Sequence, residues 1–363
     1  MASPAAATAQ QPAKLPAGVV RRADSVIVAY MTAHHVPGLS VAIALDQQLV
    51  WRKAYGYADL EDSTKVTTAS IFRTGSIGKP MTATAVMQLW QEGMLDIDAP
   101  IQTYCPAFAE KRYPVTARQL MAHRSGIRDK TAEEETNYHH YESVQASLAI
   151  FAGDSLLFVP GTKFQYTSYG YDVLGCAIEG ASGMSYRDYM NNRIFGPAGM
   201  KQIRFEEFGE IVPRRVSGYY LDQQGRLRNS VHDDMSNRVP AGGFLATPEE
   251  LVRFGMAVLG GKLVADSTRR LMWQVQRAPG DTTSETDGAG LGWALSDWYG
   301  VQEVLHGGGT PQVCALLYMV PARGFVVAFM MNLEAVPDRG DLAGDLAKVV
   351  LGPKAPHKST RLP

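Results

Sequence analysis

Three short stretches of this chain carry residue types that can do nucleophilic and proton-transfer chemistry. The first reads Arg73-Thr74-Gly75-Ser76-Ile77-Gly78-Lys79-Pro80. A serine opens a predicted helix and a lysine follows three positions later, which places hydroxyl and amine on one helix face. The positive end of the helix dipole at Ser76 favours developing negative charge. A lysine desolvated in a cleft gives up its proton more easily and can then take the serine proton. The plain alternative is a helix N-terminus with a surface lysine, and Ser-x-x-Lys alone does not decide between them.

The second stretch is Phe164-Gln165-Tyr166-Thr167-Ser168-Tyr169-Gly170-Tyr171, where Tyr166 precedes a predicted helix and can turn its phenol into a cleft as general base or relay. The third is Leu305-His306-Gly307-Gly308-Gly309-Thr310, ahead of a strong strand signal. Its glycines let a substrate approach the backbone, and an edge-strand amide can donate to an oxyanion. Taken singly, each has an ordinary structural reading: an aromatic at a helix start, and a flexible turn between strands. A phosphate-binding loop fits poorly, since the glycine run leads into a strand and Lys79 lacks the upstream glycines. No Gly-x-Ser-x-Gly elbow occurs, which disfavours an α/β-hydrolase.

The elements that must position these stretches follow from periodicity. Apolar residues at helical spacing predict a helix over 17–35. A hairpin follows, with strands 39–45 and 49–57 joined through Asp46-Gln47-Gln48. A long helix spans 76–93, with Pro80 in its first turn and Gly93 at its end. The middle of the chain reads as helices over 116–123, 141–151, 167–180 and 185–194. Thr247 and Pro248 start another helix, to 259. Strand signals return at 292–298, 313–320 and 325–332, and a last helix covers 338–351. Strands at both ends with helices between them predict an α/β plus α fold: an antiparallel sheet flanked by helices, with an inserted helical domain. The expected division is 17–78 with 240–352 for the sheet domain, 79–239 for the helical one, and loose tails at 1–16 and 353–363.

Composition narrows the partners. The 363 residues carry a formal net charge of −1, which does not support a nucleic-acid footprint. No apolar run approaches the roughly 20 residues a membrane-spanning helix needs. The three cysteines, Cys105, Cys176 and Cys314, are odd in number and far apart. The expectation is therefore no disulfide framework and no zinc site, with Cys176 and Cys314 as small buried hydrophobes. The pairs His34-His35 and His139-His140 lack a completing carboxylate or histidine, so they read as surface residues. No metal and no organic cofactor is expected. The Ala- and Pro-rich start, with Ala5, Ala6 and Ala7, fits a trimmed export signal, giving a periplasmic or secreted protein, with a cytoplasmic one as the alternative.

Taken together, the three stretches resemble the serine β-lactamase and penicillin-binding-protein superfamily in type, order and separation. Val36-Pro37-Gly38, His123-Arg124-Ser125-Gly126 and Ala241-Gly242-Gly243-Phe244 add to the resemblance, which covers about 36–332. Within it the chain looks closest to class C β-lactamases, to D-aminopeptidase-like and esterase members, and to the mitochondrial β-lactamase-like group. The resemblance implies a β-lactamase/transpeptidase-like fold and the following roles. Ser76 is acylated, Lys79 tunes and shuttles protons, and Tyr166 is general base or relay. Ser168, His306, Gly307, Gly308 and Gly309 form the pocket and oxyanion hole, with the amides of Ser76 and Gly309 as oxyanion donors.

Two departures bear on substrate. Ser168 stands where many β-lactamases have asparagine, and His306-Gly307-Gly308 where they have Lys-Thr-Gly. Gly307 offers no hydroxyl, and a histidine is largely neutral near pH 7. The expectation is a serine hydrolase acting on small esters or peptide-like amides in preference to β-lactams. The alternative is a β-lactam-acylated sensor or a filament-forming scaffold with little turnover. A homo-oligomer is left open.

Overall fold

The computed structural model describes residues 14–278, 280, 287–298 and 301–352. Most of the two expected tails therefore lies outside the described residues.

Seven strands form one sheet, and every neighbouring pair in it is antiparallel. They are β1 (Gly38–Leu45), β2 (Gln48–Gly56), β3 (Gly288–Ala289), β4 (Ala294–Trp298), β5 (Val301–Thr310), β6 (Val313–Val320) and β7 (Phe325–Met331), in the order β2-β1-β7-β6-β5-β4-β3. The sheet thus takes its strands from both ends of the chain. The hairpin turn between β1 and β2 is shorter than the expected three residues. Asp46 and Gln47 make it alone, both with positive φ, as the tight primed turns require.

Alternation along the strands splits the core into two layers. Leu39, Val41, Ile43, Leu316, Tyr318, Val327 and Phe329 face one cluster, which helix α1 (Ala17–Ala33) joins through Ala23 and Ile27 and the C-terminal helix through Leu342 and Leu346. Ala42, Ala44, Ala315, Leu317, Ala328 and Met330 face the other, with α2 (Gly78–Gln91) and α5 (Pro248–Leu259). Because both faces are covered, β6 and β7 are buried along their whole length, and their sequences are continuous apolar runs instead of alternating ones.

The inserted region is mainly helical and packs around α2, which is buried from Gly78 to Leu89 and so has no solvent face in its first three turns. Helix α3 (Ala117–Met121) starts in a capping box between Thr116 and Gln119. Helix α4 (Tyr169–Ser182) follows the Tyr166 stretch and ends on Gly183 at φ 69°. The expected helix over 141–151 is only one α turn, Val144–Ser147, followed by the 3-10 turn Leu148–Ile150. The last helix is α6 (Arg339–Leu351).

Two expectations are corrected. Cys105 and Cys176 form a disulfide, which ties α4 to the loop after Ile101–Thr103. Their separation of 71 positions gives no sequence signature, and only helix packing brings their Cα atoms to 5.4 Å. Cys314 is free and buried. The His306–Thr310 stretch does not precede a strand but lies inside β5, as the resemblance implies and as periodicity alone did not mark.

Candidate active site

The turn that carries Ser76 is held by close backbone packing. Ser76 lies in the 3-10 turn Gly75–Ile77 at the start of α2, half-buried in an otherwise buried run. Strand β5 passes directly beside it. A Cβ on Gly75, which has φ +50°, would stand 2.8 Å from the Gly309 nitrogen, and one on Gly308 would stand 2.1 Å from the Thr74 carbonyl oxygen. Only glycine fits at these two positions. β4 pairs with β5 only from Val301 to Leu305, so the far half of β5, Gly307 to Thr310, has β6 on one side and the Ser76 turn on the other. Gly309, where a Cβ would meet nothing, faces the opening.

Behind this turn, Arg73 is buried against two carboxylates. Its Nε and Nη2 donate to Glu206, its Nη1 donates to Asp233 Oδ1 at 2.5 Å, and Arg215 and Arg238 complete the network. Arg73 Nη1 also reaches the Pro311 carbonyl at 3.3 Å, which ties the end of β5 to the two-residue strand Phe72–Arg73 before Ser76.

Lys79 is fully buried. Its Nζ stands 2.9 Å from Ser76 Oγ and 3.2 Å from Ser168 Oγ. Burial lowers its pKa to about 8, against the opposing pull of Asp129 and Asp172. Nζ also lies 4.8 Å from the centre of the Tyr166 ring. Burial raises the Tyr166 phenol above its usual value, with a hydrogen bond from Ser76 pulling the other way. His306 is buried, and its pKa falls to about 3 through burial and the nearby Lys79. Its Nδ1 is 2.7 Å from the Gly307 carbonyl oxygen, an acceptor only, so Nδ1 carries the proton and Nε2 is a bare acceptor.

A cavity of about 210 Å³ opens above these groups, lined by Ser76, Tyr166, Ala294, His306, Gly307, Gly309 and Arg339. Ser76, Lys79, Tyr166, His306, Gly307 and Gly309 therefore converge as a group. Ser168 and Gly308 sit behind the lining. The Ser168 hydroxyl faces Lys79, and its amide donates to Asp129 Oδ1 at 2.8 Å.

Sequence reasoning missed Arg339, at the start of α6. Its Nη1 donates to the carbonyls of Gly308 at 2.7 Å and Ala315 at 3.2 Å. Among the described residues no carboxylate pairs with this guanidinium, which leaves a cation on the cavity wall. No motif spacing links it to Ser76, and only the return of the chain across the sheet brings it there. Among the described residues no helix is long and apolar enough to cross a membrane.

Comparison with known proteins agrees with this geometry. The beta-lactamase family model matches residues 23–351. The human mitochondrial serine beta-lactamase-like protein LACTB is 30% identical over 294 residues, covering 62% of this chain and 54% of that protein, so the chain spans about half the length of that relative. Penicillin-binding protein 4 of Amycolatopsis lactamdurans is 33% identical over 321 residues, covering 84% of this chain and 83% of that one. Among solved structures, the octameric penicillin-binding protein homologue from Pyrococcus abyssi matches with a TM-score of 0.80 at 26% identity, over 93% of this chain and 79% of that one. The hydrolase EstCE1 matches at 0.79 and 19% identity, over 92% and 99%, a likeness of fold alone. With the family model spanning the sheet, the helical insertion and every site residue named above, the chain belongs to the beta-lactamase family and has the fold of the serine β-lactamases and penicillin-binding proteins.

Proposed function

We propose that the protein is a serine hydrolase that forms an acyl-enzyme on Ser76 and acts on small ester or amide substrates. The observation that carries this reading is the 2.9 Å separation of Lys79 Nζ and Ser76 Oγ, with the amine buried and its pKa lowered to about 8. At pH 7 about a tenth of such a lysine is neutral, and at pH 8 about half. The neutral amine takes the Ser76 proton as the hydroxyl oxygen attacks the carbonyl. Of the two roles open to Tyr166, the relay is the better supported, because burial keeps the phenol protonated. A protonated phenol beside Ser76 can hand its proton to the leaving group and be recharged from Lys79. The Ser76 and Gly309 amides, on either side of the contact between turn and strand, are the proposed oxyanion donors.

The small cavity suits a short acyl group. Neutral His306 and bare Gly307 supply no positive charge on the strand, but Arg339 does so from α6. Substrates carrying a carboxylate, β-lactams among them, are therefore kept within the proposed range. The Cys105–Cys176 disulfide supports an oxidising compartment, periplasmic or extracellular.

The test is hydrolysis of p-nitrophenyl butyrate and nitrocefin by one preparation, with Ser76→Ala as blank. Turnover lost in Ser76→Ala with the fold intact supports the reading. Turnover retained in Ser76→Ala moves the nucleophile elsewhere. A stable adduct on Ser76 without turnover would replace the hydrolase by an acylated sensor.

A further inference from the structure

The loop after α3 places one residue against Tyr166 in three ways. The His123 ring stacks on the Tyr166 ring, with centroids 4.3 Å apart and planes 28° from parallel. The Gln165 amide donates to the His123 carbonyl at 2.8 Å. The Thr167 amide donates to His123 Nδ1 at 3.2 Å. The residues on both sides of Tyr166 are thus fastened to the residue that covers its ring. His123 is itself fixed by Phe164 at 5.9 Å and Tyr171 at 5.4 Å, and it is buried.

The backbone here is costly. His123 has φ +57°, a region non-glycine residues seldom occupy. Accepting an amide proton at Nδ1 fixes the neutral tautomer, with hydrogen on Nε2. Burial and the neighbouring Lys79 and His306 keep it uncharged. A rigid, neutral ring therefore packs against the aromatic side chain whose hydroxyl must point at Ser76.

We propose that His123 is a positioning residue for Tyr166, setting the direction of its phenol through the ring stack and the two amide bonds. This rests on the reading of Tyr166 as the relay that protonates the leaving group. Misplacing a proton donor by about 1 Å can cost on the order of a hundredfold in rate. The loss must be selective. An ester that leaves as p-nitrophenolate needs little protonation, whereas an ethyl ester leaves as a basic alkoxide and needs it fully.

The experiment compares p-nitrophenyl butyrate and ethyl butyrate in Tyr166→Phe, His123→Ala and His123→Asn. Asparagine tolerates positive φ and offers Oδ1 near the place of Nδ1, so His123→Asn keeps the Thr167 bond and loses only the stack. In His123→Asn, kcat/KM for ethyl butyrate, which reports the acylation step, should fall about tenfold further than kcat/KM for p-nitrophenyl butyrate. His123→Ala should show a larger selective loss. Equal losses on both esters in His123→Asn, with a selective loss in Tyr166→Phe, would overturn the proposal alone. Equal losses in Tyr166→Phe would bring down the relay reading and this proposal with it.

Discussion

The Nζ of Lys79 stands over the Tyr166 ring, 4.8 Å from its centre, while lying within hydrogen-bond distance of Ser76. The ring face favours a cation and burial opposes it. Burial is the larger effect, and the amine is left near the point where it titrates in the working pH range. One residue is thus poised between acid and base beside the only half-exposed side chain in its segment.

Activity should therefore follow the deprotonation of Lys79. kcat/KM for p-nitrophenyl butyrate is expected to rise tenfold per pH unit below about 8 and level off above it. Stability carries the same signature. The folded pKa is depressed from 10.5 to about 8, so between those values the unfolded chain holds the extra proton, and stability rises with pH through that window. Below pH 8 the buried charge costs about 3 kcal/mol. Lys79→Met should abolish turnover yet raise the unfolding free energy at pH 7 by an amount of that order, with the gain fading above about pH 10. Denaturant melts of both proteins at pH 7 and pH 10 check this, and a variant less stable at pH 7 would refute it.

The Cys105–Cys176 bridge closes a loop of 71 residues, for which chain entropy gives about 4 kcal/mol of stabilisation. It anchors α4, whose start carries the Tyr166–Ser168 stretch. Reduction, or the pair Cys105→Ala and Cys176→Ala, should lower the unfolding midpoint by several degrees in a thermal melt. A midpoint unmoved by reductant would show that helix packing alone holds α4.

Much of this architecture was legible in the sequence, for identifiable reasons. The helix 248–259 and the strand 313–320 have the expected bounds, because Thr247-Pro248 is an unambiguous start and the buried run of β6 has no competing period. Ser76, Lys79, Tyr166 and His306 were marked by local motifs. What sequence did not show is long-range or depends on backbone direction. β5 was missed because its second half is rich in glycine, which local propensity assigns to turns, although at Gly308 the contact with Thr74 excludes a side chain. The disulfide and the fastening of Tyr166 to His123 join residues tens of positions apart, where no periodicity speaks.

Arg339 gives the last prediction. Its guanidinium lines the cavity, is held by two backbone carbonyls and has no carboxylate partner among the described residues. A charge so placed can receive a substrate carboxylate, a role that neither neutral His306 nor Gly307 can fill. A hydrogen bond to a charged group contributes about 1.5–3 kcal/mol, or roughly a ten- to hundredfold change in affinity. In Arg339→Ala, KM for nitrocefin, which carries a carboxylate, should rise by at least about tenfold relative to KM for the uncharged p-nitrophenyl butyrate. The ratio is the readout because loss of the bonds to Gly308 and Ala315 also loosens β5 and lowers both activities together. Unchanged relative KM values would remove Arg339 from substrate binding and leave it as a brace for the strand that faces Ser76.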